Sequence, residues 1–254
     1  MVEIFIFILG LLFGSFANVV IRRLPYGNSI ITPASHCQKC LIPIKWIDNL
    51  PVISFLLLGG KCRNCKTKIS FEYPVVELLT GIYFLTVYLF FGLTYFFFIS
   101  VVLGLTLIII SFIDLHLRII PDILTVSLLI FGLASSFFNP VVSFSFFNSL
   151  KGALFGGVFL YLVAFFGAKI YKKEVMGGGD IKLLAAGGSF LGLQHIFMAL
   201  LIACFIGGIT GLILILIGNK KKSDFIPFGP FIAISILIVF FIRPQNVFLV
   251  TFHP

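Results

Sequence analysis

Apolar residues in this chain do not recur at the interval of a half-buried helix. They run on almost unbroken, as a bilayer-spanning helix of roughly 20 residues requires. Eight such stretches cover residues 4–20, 74–91, 95–113, 123–138, 150–170, 181–191, 195–217 and 225–242. The sixth is short and rich in glycine, which suits a partial or tilted segment. The first does not read as a removable signal peptide, since no basic stretch precedes it and no small-residue cleavage site follows it. Residues 22–71 differ in kind: they hold charges, prolines and four of the five cysteines. There is no internal repeat and no low-complexity linker. The pattern predicts an all-α polytopic membrane protein of about eight transmembrane helices. It divides into a first helix (1–21), a small cytoplasmic loop domain (22–73) and a transmembrane core (74–254).

Composition narrows this reading. Hydrophobic residues make up 60% of the 254 and charged residues 11%, whereas a soluble domain is about a quarter charged. A soluble globule is excluded, and so is disorder, which needs low hydrophobicity. The net charge of +9 takes its meaning from where the cations sit. Eight lie between Arg22 and Lys68, and Arg118 follows the third stretch. Lys169, Lys172, Lys173 and Lys182 lie around the fifth-to-sixth connection, and Lys220, Lys221 and Lys222 precede the last stretch. The intervening connections near 92–94, 139–147 and 192–194 hold none. This alternation puts the basic connections in the cytoplasm and both termini on the other side. No continuous basic face exists for nucleic acid to follow. Membrane lipid remains a partner for the first loop.

The loop carries Cys37-Gln-Lys-Cys40 and Cys62-Arg-Asn-Cys65. Two C-x-x-C pairs at this separation fit a tetrahedral zinc site, each pair giving two sulfurs from one tight turn. Nearby Lys39, Lys61, Arg63 and Lys66 favour thiolate. Two disulfides are the competing reading, which a reducing cytoplasm disfavours. Four protein ligands leave no open position, so the metal would be structural. His36 adjoins Cys37, but four cysteines make it unnecessary as a ligand. Cys204, inside an apolar run, is expected to be a buried small hydrophobe.

Only nine residues are acidic. Asp114 ends the third stretch and Asp180 begins the sixth, both at the basic side of the membrane. Two carboxylates at one depth can meet across a bundle and act as an aspartyl-protease pair that shares a proton. Equally, they can form boundary salt bridges with Arg118 and Lys182. Gly177, Gly178 and Gly179 would let backbone approach a substrate, and Lys182 follows closely enough to contact it. Asp122 is expected to cap the fourth span. Glu77, one turn inside the second span, is expected to bond a neighbouring helix or to contact a substrate or cofactor. Asp48, Glu72, Glu174, Asp224 and Glu3 read as solvated or capping groups.

These residues resemble a known family. The blocks GSFANVVIRRLP (14–25), the two C-x-x-C pairs, DNLPVIS (48–54), YPVVELLTG (73–81), IDL (113–115) with IPD (120–122), GGGDIKL (177–183) and IPFGPF (226–231) occur in the order seen in type IV prepilin peptidases. These belong to the G-x-G-D class of intramembrane aspartyl proteases. The resemblance implies cleavage of the basic leader of prepilins and pseudopilins at the cytoplasmic face of the bacterial inner membrane. It places Asp114 and Asp180 on the catalytic aspartates. It also implies methylation of the new N-terminal residue with S-adenosylmethionine, an activity associated with the cysteine loop and zinc. No glycine-rich nucleotide loop of soluble type supports the methyl donor independently. Two rival readings are a proton-coupled transporter that uses the two aspartates and an assembly protein that docks through the cysteine loop.

Overall fold

The computed structural model describes residues 1–137, 146–173, 176–217 and 226–242. Among the described residues there are α-helices, two 3-10 turns and no strand. The helices are α1 (Val2–Arg23), α2 (Ile53–Leu57), α3 (Glu72–Phe91), α4 (Tyr95–Leu117), α5 (Asp122–Phe137), α6 (Phe146–Tyr171), α7 (Gly178–Leu216) and α8 (Gly229–Ile242). At 1.5 Å per residue α1 is about 33 Å long, enough for a hydrocarbon core of about 30 Å. The helices α1, α3, α4, α6 and α7 are long and apolar enough to cross a membrane, and α5 and α8 are apolar but shorter. Lys220, Lys221, Lys222, Glu174 and Asp224 lie outside the described residues. The chain forms two compact units, Met1–Ile109 and Ile110–Pro254.

In the first unit α1 packs along α3. Helices in lipid gain little from the hydrophobic effect and associate where small residues let backbones approach. Gly14 is such a residue: a Cβ there would lie 2.6 Å from the Cα of Glu77. Polar contacts fasten the ends of the two helices together. Asn18 Nδ2 donates to the Tyr73 carbonyl at 3.1 Å. Arg22 donates to the Glu72 carboxylate at 3.1 Å and lies over the Tyr73 ring. The polar segment between α1 and α3 therefore leaves and rejoins the membrane helices at one place.

In the second unit the first half of α7 is the core. Leu183, Leu184, Ala186, Gly187, Gly188, Ser189, Phe190 and Leu191 are all buried, packed among α5, α6 and α8. The expected connection near 192–194 is a tight one, centred on Gly192. The sixth and seventh apolar stretches are two helical segments of α7, before and after Gly192 (φ 74°, ψ 176°), where the helical path ends and a second one starts. Phe197 of the second lies back against Phe155 of α6. Only glycine adopts that backbone region without strain. Its neighbour Leu193 donates its N–H to Asn148 Oδ1 at 3.4 Å, so a side chain of α6 takes up a group the break releases. The short sixth stretch is explained by its position: a helix wrapped by other helices need not match the bilayer. Cys204, expected to be buried, is exposed. It sits on the outer half of α7, where an apolar thiol facing hydrocarbon needs no protein cover.

Gly192→Ala should destabilise the second unit by about 1–3 kcal/mol, because its Cβ would also lie 2.6 Å from Asn148 Nδ2. Thermal unfolding in detergent, compared with wild type, measures it.

Candidate active site and metal centre

The two cysteine pairs fold into matching turns. The Cys37 N–H donates to the Ile42 carbonyl at 3.0 Å, and the Leu41 N–H to the Cys37 carbonyl at 2.8 Å. In the second turn the Cys62 N–H donates to Thr67 at 2.8 Å, and the Lys66 N–H to Cys62 at 3.1 Å. The residue after each second cysteine, Leu41 (φ 58°) and Lys66 (φ 57°), is left-handed. That conformation costs an L-residue about 1–2 kcal/mol, yet both turns adopt it because it turns the pair of sulfurs to one side. Bridges at His36–Pro43 and Lys61–Lys68 close the two turns. The ligand atoms of Cys37, Cys40, Cys62 and Cys65 all lie within 4.8 Å of one another. Cys37 Sγ and Cys65 Sγ are 3.7 Å apart, and no disulfide forms. Four sulfurs at about 2.3 Å from one zinc would be about 3.8 Å apart, so this donor set fits a tetrahedral metal. His36 instead directs Nδ1 to the Ala34 carbonyl at 3.0 Å. Hydrogen bonding with Thr67 pulls the Cys65 thiol down to about 6, which favours the thiolate a metal requires.

Asp48 is not a solvated group. Arg63 Nε and Nη2 grip its two oxygens at 2.8 and 2.6 Å. The Arg63 hydrogen bonds hold its carboxyl below the usual range. This fork ties the second cysteine turn to the 3-10 turn Trp46–Asn49. Glu72 is likewise paired, with Arg22.

Glu77 is buried and accepts the Val52 N–H at 2.7 Å. Val52 has φ 60° and ψ −49°, and the Ile53 N–H reaches back to the Pro51 carbonyl at 2.6 Å. That is a γ-turn of the rare, strained kind, centred on a β-branched residue. Glu77 thus bonds the loop through Val52 and the neighbouring helix α1 through Ser15. It lines a cavity of about 1330 Å³ between α1, the start of α3 and the loop.

In the second unit Asp114 and Asp180 are buried at 5% and 7% exposure. They are electrostatic neighbours, and neither forms an ion pair among the described residues. Their expected salt-bridge partners do not engage them: Lys182 instead reaches both oxygens of Asp122 at 2.7 Å. Asp122 lies in the first turn of α5. Asp114 Oδ2 accepts the backbone N–H of Gly229 at 3.0 Å. Gly229 opens α8, where backbone donors lack partners within the helix. A Cβ at Gly229 would lie 2.6 Å from that same oxygen, so only glycine allows the contact. Of the three glycines before Asp180, Gly179 packs on Ile120, and a Cβ at Gly178 would meet nothing. Gly177 accepts the Asp180 N–H at 3.2 Å. Beyond the I-P-F-G-P-F block, the sequence held no signal that Gly229 touches Asp114.

Residues 8–91 match the model of the bacterial peptidase A24 N-terminal domain, and residues 101–212 match that of the type IV leader peptidase family. A prepilin leader peptidase/N-methyltransferase of Aeromonas hydrophila is 35% identical over 91% of this chain and 87% of its own length. The chain belongs to the type IV leader peptidase family. Relatives of the same description occur in Pseudomonas aeruginosa, 36% identical over 90% of this chain and 86% of its own, and in Myxococcus xanthus. The latter is 38% identical over 84% of this chain, which spans 63% of that relative's length. No solved structure matches the chain.

Two outcomes test the loop. Lys66→Gly should slow metal loss to a chelator, since it removes about 1 kcal/mol of left-handed strain, whereas Lys66→Val should speed it. The Asp48 carboxyl is depressed by Arg63, so the pair's contribution is present above the unfolded value of about 3.9. It is lost as pH falls through the lower folded value. Arg63→Met should therefore lower the thermal midpoint at pH 7, with the deficit shrinking only below about pH 4.

Proposed function

We propose that this protein is a membrane aspartyl endopeptidase that removes the leader of prepilins or pseudopilins and methylates the new N-terminal residue. The observation that carries the peptidase reading is the pair Asp114 and Asp180: buried, within electrostatic reach of each other, and, among the described residues, without an ion-pair partner for either. A pair so arranged shares one proton. The ionised member takes a proton from the water that attacks the peptide carbonyl. The protonated member polarises that carbonyl and later protonates the leaving amine. The Gly229 N–H orients Asp114, and the open space at Gly178 leaves room for substrate backbone beside Asp180. Gly177 and Gly179 shape that approach. Lys182, held by Asp122, sets the charge at the mouth. A bilayer-lodged substrate helix with a basic leader would present its scissile bond at the ends of the spans, where both aspartates sit.

The relatives' description as N-methyltransferases supports S-adenosylmethionine as methyl donor, supplying an activated methyl group when bound. Zinc in the Cys37, Cys40, Cys62 and Cys65 set would be structural, since four thiolates leave no open position. The reading divides the chain into a first helix (1–21), a metal loop (22–73) and a peptidase core (74–254). The loop and aspartates lie on the cytoplasmic side of the inner membrane, in keeping with the cation pattern.

Purified protein incubated with a prepilin should release the leader. Asp114→Asn or Asp180→Asn should lower that rate at least about 100-fold, the lower end of what general acid–base catalysis supplies. Gly229→Ala should lower kcat more than it raises KM. Leader release that survives either Asn change overturns the assignment. Cys62→Ser should lower metal content, and a full complement of metal in that variant excludes the four-cysteine site.

A further inference from the structure

The cavity of the first unit has two chemically distinct sides. The helix side contributes Ser15, Asn18, Arg22, Arg23 and Glu77. Arg22 is taken up by Glu72 and Arg23 by the Ser29 and Ala34 carbonyls, whereas Glu77 is an ionisable group set within a membrane-spanning helix, where such groups are costly and usually functional. The loop side contributes Lys39, Lys45 and Lys68, none of them in an ion pair among the described residues. Asp48 and Glu77 are the cavity's acidic residues. Asp48 is taken up by the Arg63 fork, whereas Glu77 forms no ion pair among the described residues. Its carboxylate is held by the Val52 N–H and by Ser15, two neutral donors that fix it in place and leave its charge uncompensated. The strained γ-turn that delivers the Val52 N–H is the kind of local strain that persists at ligand clamps.

A ligand suited to this cavity carries a cation for the helix side and an anion for the loop lysines. A sulfonium nucleoside bearing an amino-acid carboxylate has both groups a few bonds apart. We propose that this cavity binds the methyl donor, with Glu77 as the anionic group facing its sulfonium. The proposal rests on the methyltransferase reading above. In the transfer the acceptor α-ammonium first gives a proton to water. Its lone pair then forms the new N–C bond while the S–C pair returns to sulfur. The positive charge leaves sulfur and arrives on nitrogen, and a fixed carboxylate serves the charge at both positions. It also distinguishes the charged donor from the neutral thioether product, which aids product release.

The test is the binding of S-adenosylmethionine and of S-adenosylhomocysteine, which lacks the methyl and its charge, to the full chain in detergent micelles. Wild type should prefer the charged ligand. Glu77→Gln should weaken S-adenosylmethionine at least tenfold while changing S-adenosylhomocysteine less than twofold, with thermal unfolding reporting that the variant is folded. If Glu77→Gln does not fold, Glu77→Asp, which withdraws the carboxylate by one methylene, should show a reduced preference. Equal loss of both ligands, loss of neither, or a rise confined to the KM of the acceptor peptide overturns the proposal. Wild type that transfers no labelled methyl group to cleaved prepilin would instead overturn the methyltransferase reading.

Discussion

A chain surrounded by hydrocarbon must hydrogen-bond its own backbone, because no solvent will do so. Nearly every other feature of this protein follows from that constraint. It makes the described spans helical and confines spare backbone donors to helix starts and tight turns. Those spare donors meet the buried carboxylates: the Gly229 N–H at the start of α8 holds Asp114, and the Val52 N–H in its γ-turn holds Glu77. Among the described residues, these two carboxylates are held by oriented backbone rather than paired with lysine or arginine. That leaves their charge available for chemistry.

The same constraint explains why polar function sits where it does. Asp114 lies near the end of α4 and Asp180 in the first turn of α7, where a helix meets the interface and its backbone is no longer closed. The cysteine loop, outside the spans, has no such limit and uses the means of a small aqueous domain: paired tight turns, a forked Arg63–Asp48 bridge and four converging sulfurs.

Much of this was legible in the residues. Continuous apolar runs mark spans by length alone, and C-x-x-C marks a metal turn because its spacing is local. Failures arose where tertiary context decides. The connection at Gly192 is legible in the residues, but the Asn148 side chain that takes up the Leu193 N–H beside it is not. Asp48 and Glu72 looked like surface charges because their partners, Arg63 and Arg22, are 15 and 50 positions away. Cys204 was read as buried by a rule drawn from water-soluble cores, where an apolar side chain has nowhere else to go. Gly229 could not be paired with Asp114 from one sequence, because a backbone N–H has no residue identity.

Both ends of the cysteine loop are fastened at one point, by Asn18 to Tyr73 and Arg22 to Glu72. Closing a loop whose ends are already joined costs only about 0.6 kcal/mol more for each doubling of its length. Evolution can therefore lengthen or trim the segment between these anchors while the membrane helices beneath it stay unchanged. The clasp thus lets the stretches between the cysteine turns and the Val52 turn change length at little cost to the helices.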